Sequence, residues 1–269
     1  MPIITILTDF GSEDYFVGAM KGVMLARNPH AVLVDVTHGI PPQDIRAGAF
    51  TLAASYPYFP SGSIHLAVVD PGVGSDRRPL VIEAGGHRFA GPDNGLFSLV
   101  LDHDPAARVR HATNSEFFLA ARSSTFHGRD IFAPVCAALS LGVAPERFGP
   151  IVTDPVRFRF TQVEVAPNGA MLGAILHVDH FGNCVTNLTW DLVREKASGR
   201  SVRLQVREVV IERLLTYYGE ASERPLEPFL IVGSAGFLEI SLCCSSAARQ
   251  LNIGAGEPVR LTVGNGSPA

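Results

Sequence analysis

Hydrophobic positions in the first half of the chain alternate between two rhythms. Runs with the β-branched content of strands buried on both faces occur in IITILTD (3–9), AVLVDVT (31–37) and IHLAVVD (64–70). Between them, YFVGAMKGVMLARNP (15–29) sets Phe16, Met20, Val23 and Met24 on one face at helical spacing and stops before Pro29, and DIRAGAFTLAASY (44–56) predicts a second helix. PLVIEA (79–84) and HRFAG (87–91) add strands, and NGLFSLVLDHD and RDIFAPVCAALSLG (129–142) read as helices. Strands alternating with helices predict a mostly parallel sheet covered on both faces.

Beyond about residue 150 the pattern changes. MLGAILHVD, SVRLQV, EVVIERLLTYYG, PFLIVGS, FLEISLCC and EPVRLTVG are short, often alternating, and separated by Gly, Asn, Ser or Pro; only WDLVREKA has helical character. This texture predicts a small antiparallel β-barrel or sandwich. The expected division, inside FGPIVTDPVRF (148–158), gives an α/β domain over 1–155 and a β-rich domain over 156–269.

Composition narrows the function classes. Apolar residues make up 46% of the 269, charged residues 18%, and the formal net charge is −4, so nucleic acid is an unexpected partner. Apolar runs fall well short of the ~18 residues of a membrane span. The start, MPIITILTDFGSED, lacks a basic leader, so a cytoplasmic location is expected. Cys136, Cys184, Cys243 and Cys244 form no CxxC pair and read as buried thiols. His177, Asp179 and His180 come nearest to a metal cluster, but a satisfied polar strand end is the better reading, so no metal is expected.

Ligands of open α/β sheets bind beyond the carboxyl ends of the strands. Asp9, Asp35 and Asp70 lie at or near such ends. The first turn, TDFGSEDYFVG, has no phosphate-binding glycine pattern, and its aspartate would repel a pyrophosphate; it could instead chelate a ribose diol. The stretch VVDPGVGSDRRPL (68–80) places two arginines after Asp70, and FHGRD sets His127 at a helix start. Carboxylate, guanidinium and imidazole are the groups needed to hold, polarise and deprotonate a water. In the β-rich half, Asp179, Asn183 and Ser234 could supply acceptors and donors for an amine, a base edge and a carboxylate.

Seven ordered stretches, TDFGSEDYFVGAMKGVM, VDVTHGIPPQDIRAGAF, VVDPGVGSDRRPL, GPDNGLF, FHGRDIFAP, DHFGNCVTNL and GSAGFLEIS, together resemble the S-adenosyl-L-methionine (SAM) hydroxide adenosyltransferase family. These are adenosine-forming SAM hydrolases related to the SAM-dependent fluorinase and chlorinase. The resemblance implies an N-terminal α/β domain, a C-terminal antiparallel β-barrel, and a homotrimer binding SAM between one subunit's N-terminal domain and a neighbour's C-terminal domain. It implies hydrolysis of SAM to adenosine and L-methionine with no cofactor, through a water-activating triad of Asp70, Arg77 and His127. Arg78 receives no role. Asp9 corresponds to the ribose ligand, Asp179 to the acid at the methionine end, Asn183 to the adenine contact, and Ser234 to the serine by the methionine carboxylate. The fluorinase has an arginine after that serine, where this chain has Ala235. Halogenases carry a tyrosine where this chain has Asp70, and the fluorinase a serine in place of Gly128; a carboxylate there would repel a halide. The alternatives are a halogenase, a non-catalytic SAM or adenosine binding protein, and a metal-dependent hydrolase. Whether Asp70 or His127 receives the proton is open at this level.

Overall fold

The computed structural model describes residues 1–160 and 162–264. The chain divides into two compact units, Met1–Phe158 and Arg159–Ala269.

The first unit runs β1 (Ile3–Thr8), α1 (Phe16–Arg27), β2 (Val32–Thr37), α2 (Ile45–Ser55), β3 (Ile64–Val68), β4 (Pro79–Ala84), β5 (His87–Pro92), α3 (Ser98–His103), β6 (Arg108–His111) and α4 (Ala133–Ser140). The six strands form one sheet in the order β2-β1-β3-β5-β4-β6. The β1–β2, β1–β3 and β3–β5 pairs are parallel, and β4 joins β5 and β6 antiparallel. Period-two alternation divides the central strands between two cores. Ile4, Ile6, Leu66 and Val68 pack with Met20 and Met24 of α1 and Val135 and Leu139 of α4; Leu7, Ala67 and Val69 pack with Ala47 and Leu52 of α2 and Val100 of α3. The second strand departs from the expected buried run. As the sheet edge it is half-exposed along its length.

The helix predicted over 129–142 forms in two pieces. Gly128–Phe132 is a π-helical turn, and α4 follows with Pro134 in its first turn. Pro134 has no N–H to offer the carbonyl of Asp130, which accepts from Leu119 N at 2.9 Å instead. The widened turn carries His127 on its leading edge.

The second unit contains β7 (Glu164–Val165), β8 (Met171–Val178), β9 (Cys184–Thr189), α5 (Trp190–Ala197), β10 (Val202–Val206), β11 (Val209–Ile211), β12 (Leu214–Leu215), β13 (Phe229–Val232), β14 (Phe237–Ser241), α6 (Ala247–Gln250) and β15 (Pro258–Val263). They form a curled sheet in the order β11-β10-β15-β8-β9-β14-β13-β12, with β7 on β8. Every pair but β12–β13 is antiparallel. Among the described residues, no pairing joins β11 to β12, so the hydrogen-bonded path is that of a half-barrel. The run EVVIERLLTYYG divides because it changes partner: β11 lies on β10, β12 on β13, and Tyr218 opens a 3-10 turn, Tyr218–Glu223. The polar stretch CVTNLT is an unexpected central strand, β9. Its Thr186 hydroxyl donates to Leu238 O at 2.6 Å, and its Asn187 Oδ1 accepts from Ala174 N at 2.9 Å, so burial leaves these groups paired.

Candidate active site

Parallel pairing aligns the ends of β1 and β3, with Thr8 opposite Val68. Asp9 and Asp70 follow these neighbouring strand ends. Past Asp70, the PGVG turn folds back: Val73 N donates to Asp70 O at 3.2 Å, and Ser75 N to Gly72 O at 3.1 Å. Gly74 has φ +80°, and a Cβ there would stand 2.3 Å from the carbonyl oxygen of Ser124. Only glycine lets this turn close against the segment leading to His127.

That closure brings three predicted residues together. Arg77 Nε donates to Asp70 Oδ1 at 2.8 Å, and Arg77 Nη2 donates to Asp70 Oδ2. The two side chains are 8% and 4% exposed, which makes this a buried, forked ion pair. Arg77 Nη2 also donates to His127 Nδ1 at 2.9 Å. A guanidinium has no lone pair to give, so Nδ1 must accept, and His127 is the neutral tautomer protonated on Nε2. Burial, reinforced by Arg77, pulls the His127 pKa below its ordinary value of 6.5. The Phe132 ring lies 5.3 Å from the guanidinium carbon. Arg77 Nη1 is buried and has no acceptor among the described residues.

The other two strand-end acids differ. Asp9 is half-buried; its Oδ2 accepts from Gln43 N at 2.8 Å, and no hydrogen bond engages Oδ1 among the described residues. Asp35 pairs on the surface with Lys21 Nζ at 2.6 Å. Arg78 points away from the triad: it holds Asp93 Oδ2 at 2.6 Å through Nε, Asp154 Oδ1 at 2.8 Å through Nη1, and Asp154 O at 2.8 Å through Nη2. The adjacent arginines thus divide their work, one facing the strand-end carboxylate and one tying down the 150s segment.

In the second unit, Asp179, Asn183 and Ser234 line one cavity of about 830 Å³. Asp179 Oδ1 accepts from Phe181 N at 2.9 Å and Asn183 N at 2.8 Å, and Oδ2 accepts from Asn183 Nδ2 at 2.9 Å. The loop is thereby set around its own carboxylate. His177 and His180 do not form a metal cluster with Asp179: among the described residues, no group of three His, Cys, Asp or Glu side chains could hold an ion.

Comparison with known proteins gives a consistent assignment. Residues 4–149 match the SAM hydroxide adenosyltransferase N-terminal domain, and residues 173–260 match the C-terminal domain. The chain belongs to the SAM hydroxide adenosyltransferase family. It is 39% identical to the (R)-S-adenosyl-L-methionine hydrolase of Thermus thermophilus, covering 96% of this chain and 98% of that protein. It is 38% identical to the enzyme of the same name from Salinispora arenicola, covering 98% of each. Fluorinases are more distant, at 25% identity for that of Actinopolyspora mzabensis. Among solved structures, an uncharacterized conserved protein from Thermotoga maritima superposes with a TM-score of 0.89 at 32% identity, covering 96% of this chain and 99% of that one.

In this member of the family, Tyr218, Glu239 and Arg249, to which the sequence reading gave no role, also line the second-unit cavity, as does Cys244. Glu239 sits inside the apolar run FLEISLCC and is 8% exposed; burial, then the charge of Asp179, raises its pKa. Its charge stands out within the apolar run of β14, but its cavity-facing position requires the curl of the sheet. Burial and nearby Glu239 likewise raise the pKa of Tyr218. The thiols are not uniformly buried: Cys136 and Cys184 are, whereas Cys243 is half-buried and Cys244 exposed, because they occupy the two-residue turn of a Leu242–Ser245 bridge. Gly128 is packed rather than open. A Cβ there would meet Met20 Sδ at 3.0 Å and Phe126 Cε2 at 3.3 Å.

Proposed function

We propose that this chain hydrolyses SAM to adenosine and L-methionine. The observation that carries the reading is the buried Asp70–Arg77–His127 contact beyond the ends of parallel strands; the hydrolase names of relatives aligned over nearly the whole chain support the substrate. Water oxygen attacks C5′ of the ribose as the C5′–S bond breaks, and the bonding pair leaves on sulfur as the neutral thioether of methionine. The leaving group needs no acid, so the task is to supply a nucleophile. Free hydroxide at pH 7 costs about 12 kcal/mol, from a water pKa of ~15.7 at ~1.4 kcal/mol per unit. Partial deprotonation during attack avoids that full cost. Arg77 Nη1 is the donor left for the developing negative charge. The hydrogen-bond directions favour Asp70 as the proton acceptor. Nδ1 of His127 is already engaged by Arg77 and its pKa is lowered, whereas each Asp70 oxygen retains a further lone pair. His127 then positions the guanidinium.

In this reading Asp9 chelates the ribose diol, Asp179 accepts from the methionine ammonium, and Ser234 donates to the carboxylate. Asn183, whose amide nitrogen is given to Asp179, presents its oxygen to the adenine amine. SAM is substrate and no cofactor takes part. The family resemblance further supports a closed C-terminal barrel and a homotrimer in which the catalytic unit of one copy meets the substrate-binding unit of a neighbour. A cytoplasmic site fits the substrate, and among the described residues no helix is long and apolar enough to cross a membrane.

The test is incubation of purified, EDTA-treated protein with SAM and chromatography for adenosine and methionine in equal amounts. Intact SAM, or activity lost to the chelator, overturns the reading; sedimentation velocity addresses the trimer, and cell fractionation the location.

A further inference from the structure

The charges lining the second-unit cavity form an incomplete set unless Arg249 is counted. Asp179 and Glu239 are its carboxyl groups, and Arg249 is the one lysine, arginine or histidine among the described lining residues. SAM bears two positive centres, sulfonium and ammonium, and one negative carboxylate. Two acids and one guanidinium complement that pattern. The hydroxyl of Ser234 alone offers a carboxylate no countercharge, and the next residue, Ala235, has none to add.

The structure shows why Arg249 is placed here and what it has to spare. It lies on α6, whose Ala247 is fully buried. Ala248 N donates to Gly182 O at 3.0 Å, and Gly182 N donates to Asp179 O at 3.0 Å. The Arg249 backbone N–H is taken by Ser246 Oγ at 3.2 Å. The α6 backbone is thus tied to the loop that carries Asp179 and Asn183. The guanidinium is exposed and makes no hydrogen bond or ion pair among the described residues, unlike Arg77 and Arg78, which are spent on internal carboxylates. A planar fork with five free donors is the group that best matches a carboxylate.

We propose that Arg249 binds the carboxylate of the substrate's amino-acid end, and so makes the enzyme prefer SAM to a decarboxylated analogue. The proposal rests on the SAM-hydrolase reading. Loss of a charge-assisted hydrogen bond to the carboxylate predicts a fall of roughly 10- to 100-fold in kcat/KM for SAM. Because the carboxylate is remote from the reacting carbon, the change should fall mainly on KM.

The experiment measures kcat and KM of the parent, Arg249→Ala and Arg249→Lys proteins with SAM and with decarboxylated SAM. Arg249→Ala is expected to raise KM for SAM while leaving decarboxylated SAM unaffected, and Arg249→Lys to recover part of the loss. An equal loss on both substrates, or none on either, overturns the proposal. Should the parent leave SAM intact, the hydrolase reading fails separately. Calorimetric titration with L-methionine then decides the role of Arg249: weaker binding by Arg249→Ala supports it, and unchanged binding or no binding by the parent overturns it. Unchanged circular dichroism and Tm confirm that the exposed substitution has not unfolded the unit.

Discussion

Replacing Asp70 with asparagine exchanges one oxygen for an amide nitrogen and removes one charge. The new side chain could still accept from Arg77 Nε through its oxygen, but its amide nitrogen would then face Nη2, donor against donor, where Asp70 Oδ2 now accepts. A guanidinium only 8% exposed would be left uncompensated. Removal of one partner from a buried pair costs about 3–5 kcal/mol. At ~2–4 °C per kcal/mol for a chain of this size, Tm should fall by about 10 °C. Activity should fall further than stability explains, because the same substitution removes the proposed proton acceptor, a loss of about 10²–10⁴-fold in kcat. Asp93→Asn is the control: it removes a carboxylate as buried as Asp70 from an arginine pair outside the triad, although its partner Arg78 is 27% exposed and keeps Asp154. Differential scanning fluorimetry and steady-state kinetics below both melting temperatures separate the effects. A fall in Tm in both variants, smaller in Asp93→Asn, with kcat preserved only in Asp93→Asn, is the expected outcome. If Asp70→Asn also keeps its kcat, Asp70 is structural and the assignment of the proton is wrong.

Three further outcomes follow from particular contacts. Gly74→Ala places a Cβ 2.3 Å from Ser124 O at a positive φ, a strain of at least ~1–3 kcal/mol, and should lower both Tm and kcat by parting Arg77 from His127; unchanged kcat would show that the turn does not set the triad. Protonation of His127 would put a donor at Nδ1 against Arg77, so kcat should drop as pH falls through its lowered pKa; the acid limb should therefore lie below pH 6.5, and a limb above that value refutes the tautomer assignment. His65, 1% exposed and bonded to Thr5 and His87, has its pKa lowered to about 3 by burial and by His87. It is neutral when folded and protonated when unfolded between about pH 3 and 6.5, so stability is lost as pH falls through that window. At ~1.4 kcal/mol per unit, about 2 kcal/mol should disappear between about pH 6.5 and 4.5. Urea titrations of parent and His65→Asn compare the slopes; equal pH dependence in both refutes the contribution.

Periodicity alone was sufficient to read α1, α2, β1 and β3, because a residue's face in a helix or a doubly covered strand repeats with the backbone geometry. Ordered motifs carried the family, and with it the choice of Asp70, Arg77 and His127. Local pattern was silent wherever a residue's surroundings come from distant segments. CVTNLT reads as loop until Leu238 and Ala174 are brought beside its polar side chains. Glu239 reads as one more strand residue until the curl of the sheet sets it in a cavity with Asp179. The family motif selects Arg77 over Arg78, but the physical division between a buried fork on Asp70 and a tie to the 150s segment exists only once Asp70, His127, Asp93 and Asp154 have positions. The available chemical groups, and the elements on which they ride, are legible along the chain because both follow from short-range geometry. Which charge meets which is settled by the folded arrangement, because hydrogen-bond direction and burial belong to segments far apart in sequence.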